Sequence, residues 1–284
     1  MKICTTKADG PMRNNPLENN KYVKVFLLGM QNEMEYRTNY WLQLFSFILP
    51  LMTQVFLWLA VFGSSGERQL LGYTLEEMLV YAVMAAVTGR LIAAGFEYEI
   101  AEDIKEGGLG KFLVQPVHYF AYRFFRFAGA KAVQSAVIWT GAVCMLAGLS
   151  LWGGTDFSIT HLLLYMLTLP GALLLNFLVY YTLSGMAFWI TESTGLFYTL
   201  SLVIYVASGT VFPLTIFGEA VGKLLSLLPF AYTVFFPVNA VTGKLNGSLI
   251  AAGIGLQAFW IAVLLILSGV VWRAGVRRFV AVGG

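Results

Sequence analysis

Long apolar runs without charge set the frame of this chain. Residues 39–66, 132–155, 193–218 and 245–272 carry no charged side chain over 28, 24, 26 and 28 residues. A helix needs about 20 apolar residues to cross a bilayer, so each run is long enough to do so. Two more apolar stretches lie between them. One, 78–96, is interrupted by a single charge, Arg90; the other, within 162–190, carries none. The pattern predicts an all-α polytopic membrane protein with six transmembrane helices, at about 39–62, 78–96, 132–151, within 162–190, at 196–210 and at 250–272. Pro50 and Pro170 fall inside two of these spans and are expected to bend them.

The connecting stretches are patterned as well. Residues 21–37 place Tyr22, Val23, Phe26, Leu27, Met30 and Met34 at helical spacing, with Lys24, Gln31 and Glu35 facing elsewhere. That suits a helix lying in the membrane interface with its lysines toward lipid headgroups, although a plain extension of the first span fits the same residues. Residues 97–116, reading EYEIAEDIKEGGLGKFLVQP, carry five acids (Glu97, Glu99, Glu102, Asp103, Glu106) and two lysines. Ile100 and Ile104 share a narrow helical face one turn apart, Gly107-Gly108 is expected to stop the helix, and a second short segment, 109–114, runs into Pro116. Such an element either receives a partner at the membrane surface or is a solvated loop held out of the bilayer by its acids. Residues 211–237 are punctuated by Pro213, Pro229 and Pro237, with Glu219 and Lys223 four apart on a helix too short to span. This predicts a re-entrant or interfacial helical hairpin whose buried face is Val221, Leu224, Leu225 and Leu228.

Composition adds the class and charge adds the orientation. Hydrophobic residues make up 58% of the chain, charged residues 12%, and mean hydropathy is +0.73, outside the balance of soluble domains. Of 18 basic residues, 14 fall on one side of a six-span layout, so the positive-inside rule places both termini in the cytoplasm. Residues 1–20 lack the apolar core of a signal peptide and read as a disordered cytoplasmic tail; 21–278 form a single transmembrane domain. Cys4 lies in the tail and Cys144 in mid-membrane, so no disulfide is expected. The aromatic-basic stretch 118–131, which interleaves Arg123 and Arg126 with tyrosines and phenylalanines, reads as a membrane-interface segment rather than a nucleic-acid site.

The chemistry that is missing narrows the function. The six expected spans contain no Asp or Glu, so an ion-coupled carrier has no evident relay. His118 and His161 fall on opposite sides, no metal or catalytic cluster is visible, and GGLGKF and GEAVGKL both fail the phosphate-loop pattern. Energy for uphill movement must come from another chain. Arg90 is either an intramembrane site or a cation that snorkels to the near boundary. Gln54, Phe56, Trp58, Arg90 and Tyr205 are candidate residues of a substrate pathway, with packing or lipid contact the alternative for the aromatics.

The order KYVKVFLLGMQNEMEYR, EYEIAEDIKEGGLGKFLVQPV, SGTVFPLTIFGEAVGKLLSLLPFAY resembles the membrane subunit of a type-2 ABC exporter, within the bacterial subgroup of paired permeases. The resemblance covers about 21–278. The hairpin departs from it where members often carry a further proline and this chain has Ile216-Phe217-Gly218. The resemblance implies a bacterial cytoplasmic-membrane permease without cofactor of its own. It also implies a separate cytoplasmic ATPase holding ATP and Mg, and a second permease subunit, identical or paralogous. Residues 97–116 would be the coupling element, with Glu99, Ile100, Glu102, Asp103, Ile104, Glu106, Gly107 and Gly108 meeting the ATPase. Ile100 and Ile104 are expected to offer it an apolar contact. Residues 211–237, with Pro213, Glu219, Lys223 and Pro229, would be the external hairpin. The cargo implied is a hydrophobic or amphipathic small molecule such as a drug, antibiotic or peptide. A lipid or lipid-linked glycan exporter, or a non-transport membrane scaffold, stays open as an alternative.

Overall fold

A computed structural model describes residues 21–35, 37–114, 117–153 and 159–279. The expected tail 1–20, Pro116 and the turn at 154–156 lie outside the described residues, as do the side chains of Trp41 and Cys144. The described residues are helical with no strand: α1 (Lys21–Glu35), α2 (Arg37–Ser65), α3 (Leu75–Ile92), α4 (Phe96–Lys105), α5 (Gly110–Val114), α6 (Tyr119–Gly153), α7 (Ile159–Ser184), α8 (Thr194–Ala207), α9 (Gly218–Leu227), α10 (Phe235–Val241) and α11 (Gly247–Val276). Short 3₁₀ turns at Gly185–Phe188, Leu214–Phe217 and Pro229–Tyr232 join them.

Local signals place several boundaries. Thr74 and Glu77 form a reciprocal cap at the start of α3, the Glu77 amide donating to Thr74 Oγ1 at 3.3 Å and the Thr74 amide to Glu77 Oε2 at 2.8 Å. Asn246 caps α11 by accepting from the Leu249 amide at 3.0 Å. Between α3 and α4 the chain breaks at residues 93–95, where Gly95 takes φ 157. Asn176 Nδ2 reaches across from α7 to the Ile92 carbonyl at 2.6 Å, so a helix end left open inside the protein is satisfied by a side chain.

Among the described residues, four helical stretches are long and apolar enough to cross a membrane: Ile48–Ser65, Leu75–Lys105, Thr160–Phe188 and Gly247–Val276. The bent pair Leu214–Leu227 and Pro229–Val241, folded by 82°, would make a fifth if it counts as one broken span. The third expected span falls within α6, where residues 137–153 lie outside those whose surroundings are described. The fifth falls on α8, whose 14 residues reach only about 21 Å at the helical rise, short of a bilayer core.

The interior divides into two apolar clusters. One gathers α2, α3 and the start of α7 with α10, around Trp58, Tyr81, Met84 and Tyr165. The other gathers α4, the start of α6, the end of α7, α8 and α11, around Ile100, Phe177, Phe197 and Trp272. One end of the bundle is marked by the Lys244–Glu77 ion pair, 2.6 Å, and the bond from Lys244 Nζ to the Gly72 carbonyl, 2.8 Å. The opposite end carries α4, α5 and the turn before α8.

α1 docks on α6 through two glycines. A Cβ at Gly129 would lie 3.0 Å from the Phe26 carbonyl carbon and 3.2 Å from the Met30 nitrogen, and closer still to the Phe26 oxygen. One at Gly29 would lie 3.1 Å from the Arg126 carbonyl carbon, again closer to the oxygen. Backbones this near exclude side chains at both positions, the small-residue packing common between membrane helices. The aromatics of 118–131 are correspondingly packed: Tyr119 and Phe127 are buried, and Phe120, Phe124 and Phe127 ring Phe177 of α7 at 5.2–5.6 Å. The aromatics of that stretch thus pack within the chain, whatever its depth in the membrane.

Candidate functional site

α4 carries the expected coupling stretch, and its two faces do different things. Phe96, Ile100, Ala101 and Ile104 recur at helical spacing and are buried, Ile100 completely. They join the second cluster with Leu175, Leu178 and Phe197. The expectation that Ile100 and Ile104 offer an apolar contact to a partner is corrected: that face is consumed by the chain's own core, since α4 has only one apolar stripe and α7 lies against it. Glu102 and Glu106 are exposed and remain available. Together with Asp103, Gly107, Gly108 and Lys111 they border a cleft of about 360 Å³ at the α4–α5 turn. Gly107 makes that turn with φ 78, a left-handed conformation that a side chain disfavours, and the Leu109 amide closes back onto the Asp103 carbonyl at 2.9 Å.

The acids on the flank of α4 are bound inside the chain. Arg123 of α6 is 4% exposed; its Nη1 donates to Glu99 Oε2 at 2.6 Å, its Nη2 to Asp103 Oδ2, and its Nε to the Tyr119 hydroxyl at 2.9 Å. The Tyr119 hydroxyl in turn donates to Asp103 at 2.6 Å. Burial, reinforced by the Asp103 carboxylate, pushes the Tyr119 hydroxyl well above its ordinary range, so it stays a donor. Arg126 adds a longer contact to Glu99, 3.3 Å. From Tyr119 the packing continues to Trp272 at 5.2 Å and on to Tyr181, stacked on that indole at 4.8 Å. One guanidinium and an aromatic column thus tie α4 to α6, α7 and α11, so α4 is braced rather than hinged. The charge pattern does not reveal the pairing of Arg123 and Tyr119 with Glu99 and Asp103, because those carboxylates lie 16 to 24 residues away.

The five candidate pathway residues separate. Gln54 donates through Nε2 to the Val211 carbonyl, and Trp58 is 3% exposed against Phe212, ring centroids 6.1 Å apart. Both fasten α2 to the hairpin. Phe56 is exposed on α2. Arg90 borders a polar cavity of about 450 Å³ with Glu33, Arg126, Lys131 and Gln134. There Lys131 Nζ donates to Gln134 Oε1 at 2.8 Å, and burial, with the Arg90 charge beside it, pushes its ammonium down to about 7. Tyr205 alone of the five borders the other large cavity, about 360 Å³ on the seam between the two clusters, together with Glu97, Asn176, Tyr180 and Tyr198. Its floor is Ser208, Thr210 and Val234, the base of the hairpin. Glu97, read in the sequence as one of five similar acids, differs from the rest by being buried.

In the hairpin the Glu219–Lys223 pair forms as spaced, 2.6 Å and exposed. Pro213 precedes the first 3₁₀ turn and Pro229 opens the second. The expected buried face of α9 is corrected: Val221 and Leu224 are exposed, Leu225 and Leu228 half-buried. A helix of ten residues flanked by prolines stands off the bundle, and its apolar side is left exposed among the described residues. Among the described residues there is no group of His, Cys, Asp and Glu fit to hold a metal.

Comparison with curated proteins and with solved structures returns no match. The family profile described as "ABC-2 family transporter protein" matches residues 48–283, from the middle of α2 past the end of α11. That match covers the braced α4, the seam cavity and the hairpin alike, and on it the chain belongs to the ABC-2 transporter family, whose members are permease subunits of ABC transporters.

Proposed function

We propose that this chain is the membrane half of an ATP-driven exporter, coupling hydrolysis on a separate cytoplasmic ATPase to outward movement of an amphipathic small molecule. The observation that carries the reading is the bracing of α4. Its acidic edge, Glu102 and Glu106, is free while its other faces are fixed to α6 and α7 through Arg123, Ile100 and Ile104. A force applied to that edge moves a packed block rather than bending a loop, as a transmission element requires. The α4 end then faces the cytoplasm of a bacterial cell, with both termini there and six crossings in all. ATP and Mg sit on the partner, and a second permease copy or paralogue completes the assembly. Nucleotide binding draws the ATPases together and shifts the equilibrium between inward and outward states. The seam cavity runs from the α4 end, at Glu97 and Tyr98, to the hairpin base, at Ser208 and Thr210.

The test uses the chain reconstituted with its ATPase. Charge reversal at Glu102 and Glu106 is expected to abolish the stimulation of ATP hydrolysis by transported cargo, with insertion and thermal stability unchanged. Stimulation equal to wild type would remove the coupling role from α4. Reversal at Asp103 or Ile104→Asp is a poorer probe, since both groups are held inside the chain and their loss damages the fold.

A further inference from the structure

The seam cavity holds a group that the coupling scheme does not use. Glu97 is 4% exposed, its Oε2 has no hydrogen-bond partner, and no basic side chain among the described residues forms an ion pair with it. The carboxyl accepts backbone hydrogen bonds at Gly95 and Glu97 but leaves Oε2 without a donor; a buried acceptor left so is costly, and in a cavity the cost is removed when a cation or strong donor arrives. Arg90, seven residues before Glu97, and Lys131 border the other cavity, across residues 93–95. Tyr98, Tyr180, Tyr198 and Tyr205 line the same cavity as Glu97. Tyr198, Leu202 and Tyr205 fall on one stripe of α8 and are exposed by 62%, 50% and 49%. Aromatic faces attract cations and stack on flat apolar bodies. The volume, about 360 Å³, lies within the range of small-molecule sites.

We propose that the cavity between α3, α7 and α8 is a binding site for an organic cation with a flat apolar body, its charge on Glu97 and its rings among the tyrosines. Neutral amphipaths gain the stacking but leave Oε2 of Glu97 without a donor; anionic ones are repelled by it. This deepens the export reading by naming a cargo class, and so rests on it, but the site is tested without any ATPase present.

The experiment measures equilibrium binding of ethidium, by fluorescence anisotropy, to the full chain in phosphatidylcholine nanodiscs, with neutral N-phenyl-1-naphthylamine as the control probe. Glu97→Gln is expected to raise the ethidium Kd about tenfold or more, about 1.4 kcal/mol, and to leave the naphthylamine Kd unchanged; Glu97→Asp retains part of the affinity. Tyr198→Ala, at the exposed rim where the fold is not at stake, is expected to weaken both probes severalfold, and Tyr198→Phe neither. Ethidium binding that does not saturate, or that is equal in wild type and a folded Glu97→Gln, overturns the proposal; so does ethidium binding untouched by Tyr198→Ala if Glu97→Gln fails to fold. Loss of ATPase coupling with this binding intact refutes only the export reading. Coupling that persists without saturable ethidium binding refutes only the cation site.

Discussion

Replacing Gly129 by alanine tests how closely α1 is latched to α6. The added methyl would sit 3.0 Å from the Phe26 carbonyl carbon and nearer still to its oxygen, where carbon contacts normally settle at about 3.5–4.0 Å. Backbone atoms cannot rotate away as a side-chain tip can, so the two helices must part by roughly 1 Å over the crossing. Overpacking of this kind costs about 1–3 kcal/mol, equal to roughly a 5- to 150-fold rise in the population of the undocked state. Separation also loosens the stacking of Tyr22 on Phe125, centroids 5.5 Å apart. A helix of 15 residues is marginal without packing, so undocked α1 frays and its amides exchange. The assay is hydrogen–deuterium exchange of the full chain in nanodiscs, reading peptides from residues 21–35. Gly255→Ala, on α11 with open space at the new methyl, is the control and should leave α1 exchange as in wild type. Gly129→Ala protection indistinguishable from that of Gly255→Ala would refute the latch.

Other expectations follow from the same geometry. Arg123→Gln leaves Glu99 and Asp103 without their shared cation; because those carboxylates are 50% and 26% exposed, the cost is about 1–3 kcal/mol rather than that of a fully buried pair. A lower thermal midpoint and lost ATPase stimulation would check it, and a variant as stable as wild type would count against the brace. Gly107→Val is expected to destabilise the α4–α5 turn by about 1–2 kcal/mol, with Gly107→Asn milder because asparagine tolerates the left-handed conformation; equal thermal midpoints for the two would contradict the turn's role. Lys131 lies ahead of the apolar part of α6, facing Glu33 of α1 and Arg90 of α3, and its ammonium is held down to about 7. The unfolded chain keeps that proton to higher pH, near the ordinary 10.5, so this group adds stability as pH rises from about 7 toward 10. Denaturant midpoints of wild type minus Lys131→Met should therefore climb over that window, and a flat difference would show the lysine to be solvated.

What the chain reveals without coordinates, and what it hides, divides along a physical line. The start and stop of α4 are local events, governed by an apolar repeat and by Gly107, so the acidic helix is readable from the sequence. The partner of its apolar face is not. Ile100 and Ile104 announce a buried stripe, but whether another chain or α7 covers it depends on how the helices are stacked. The same holds for α9, whose apolar positions are visible and whose exposure among the described residues is not. The roles of Arg123, Glu97, Gly29 and Gly129 are hidden for one reason: each depends on a neighbour far along the chain or on another helix, and periodicity reports only on its own helix. Polar residues inside apolar runs join segments in the same way. Gln54, Asn176 and Gln257 each fasten a backbone carbonyl of another segment, the last reaching Thr168 and Tyr232 at 3.2 and 2.9 Å. In a membrane interior such groups are expected to find partners.

The coupling claim is tested most directly by zero-length carbodiimide cross-linking, which joins a carboxylate to a touching lysine amine, on the complex isolated from native membranes and read by peptide mass spectrometry. The account predicts that Glu102 or Glu106 is joined to a lysine of a nucleotide-hydrolysing polypeptide. Recovery of such a polypeptide joined only to carboxylates elsewhere in the chain, or of no such polypeptide at all, would contradict it.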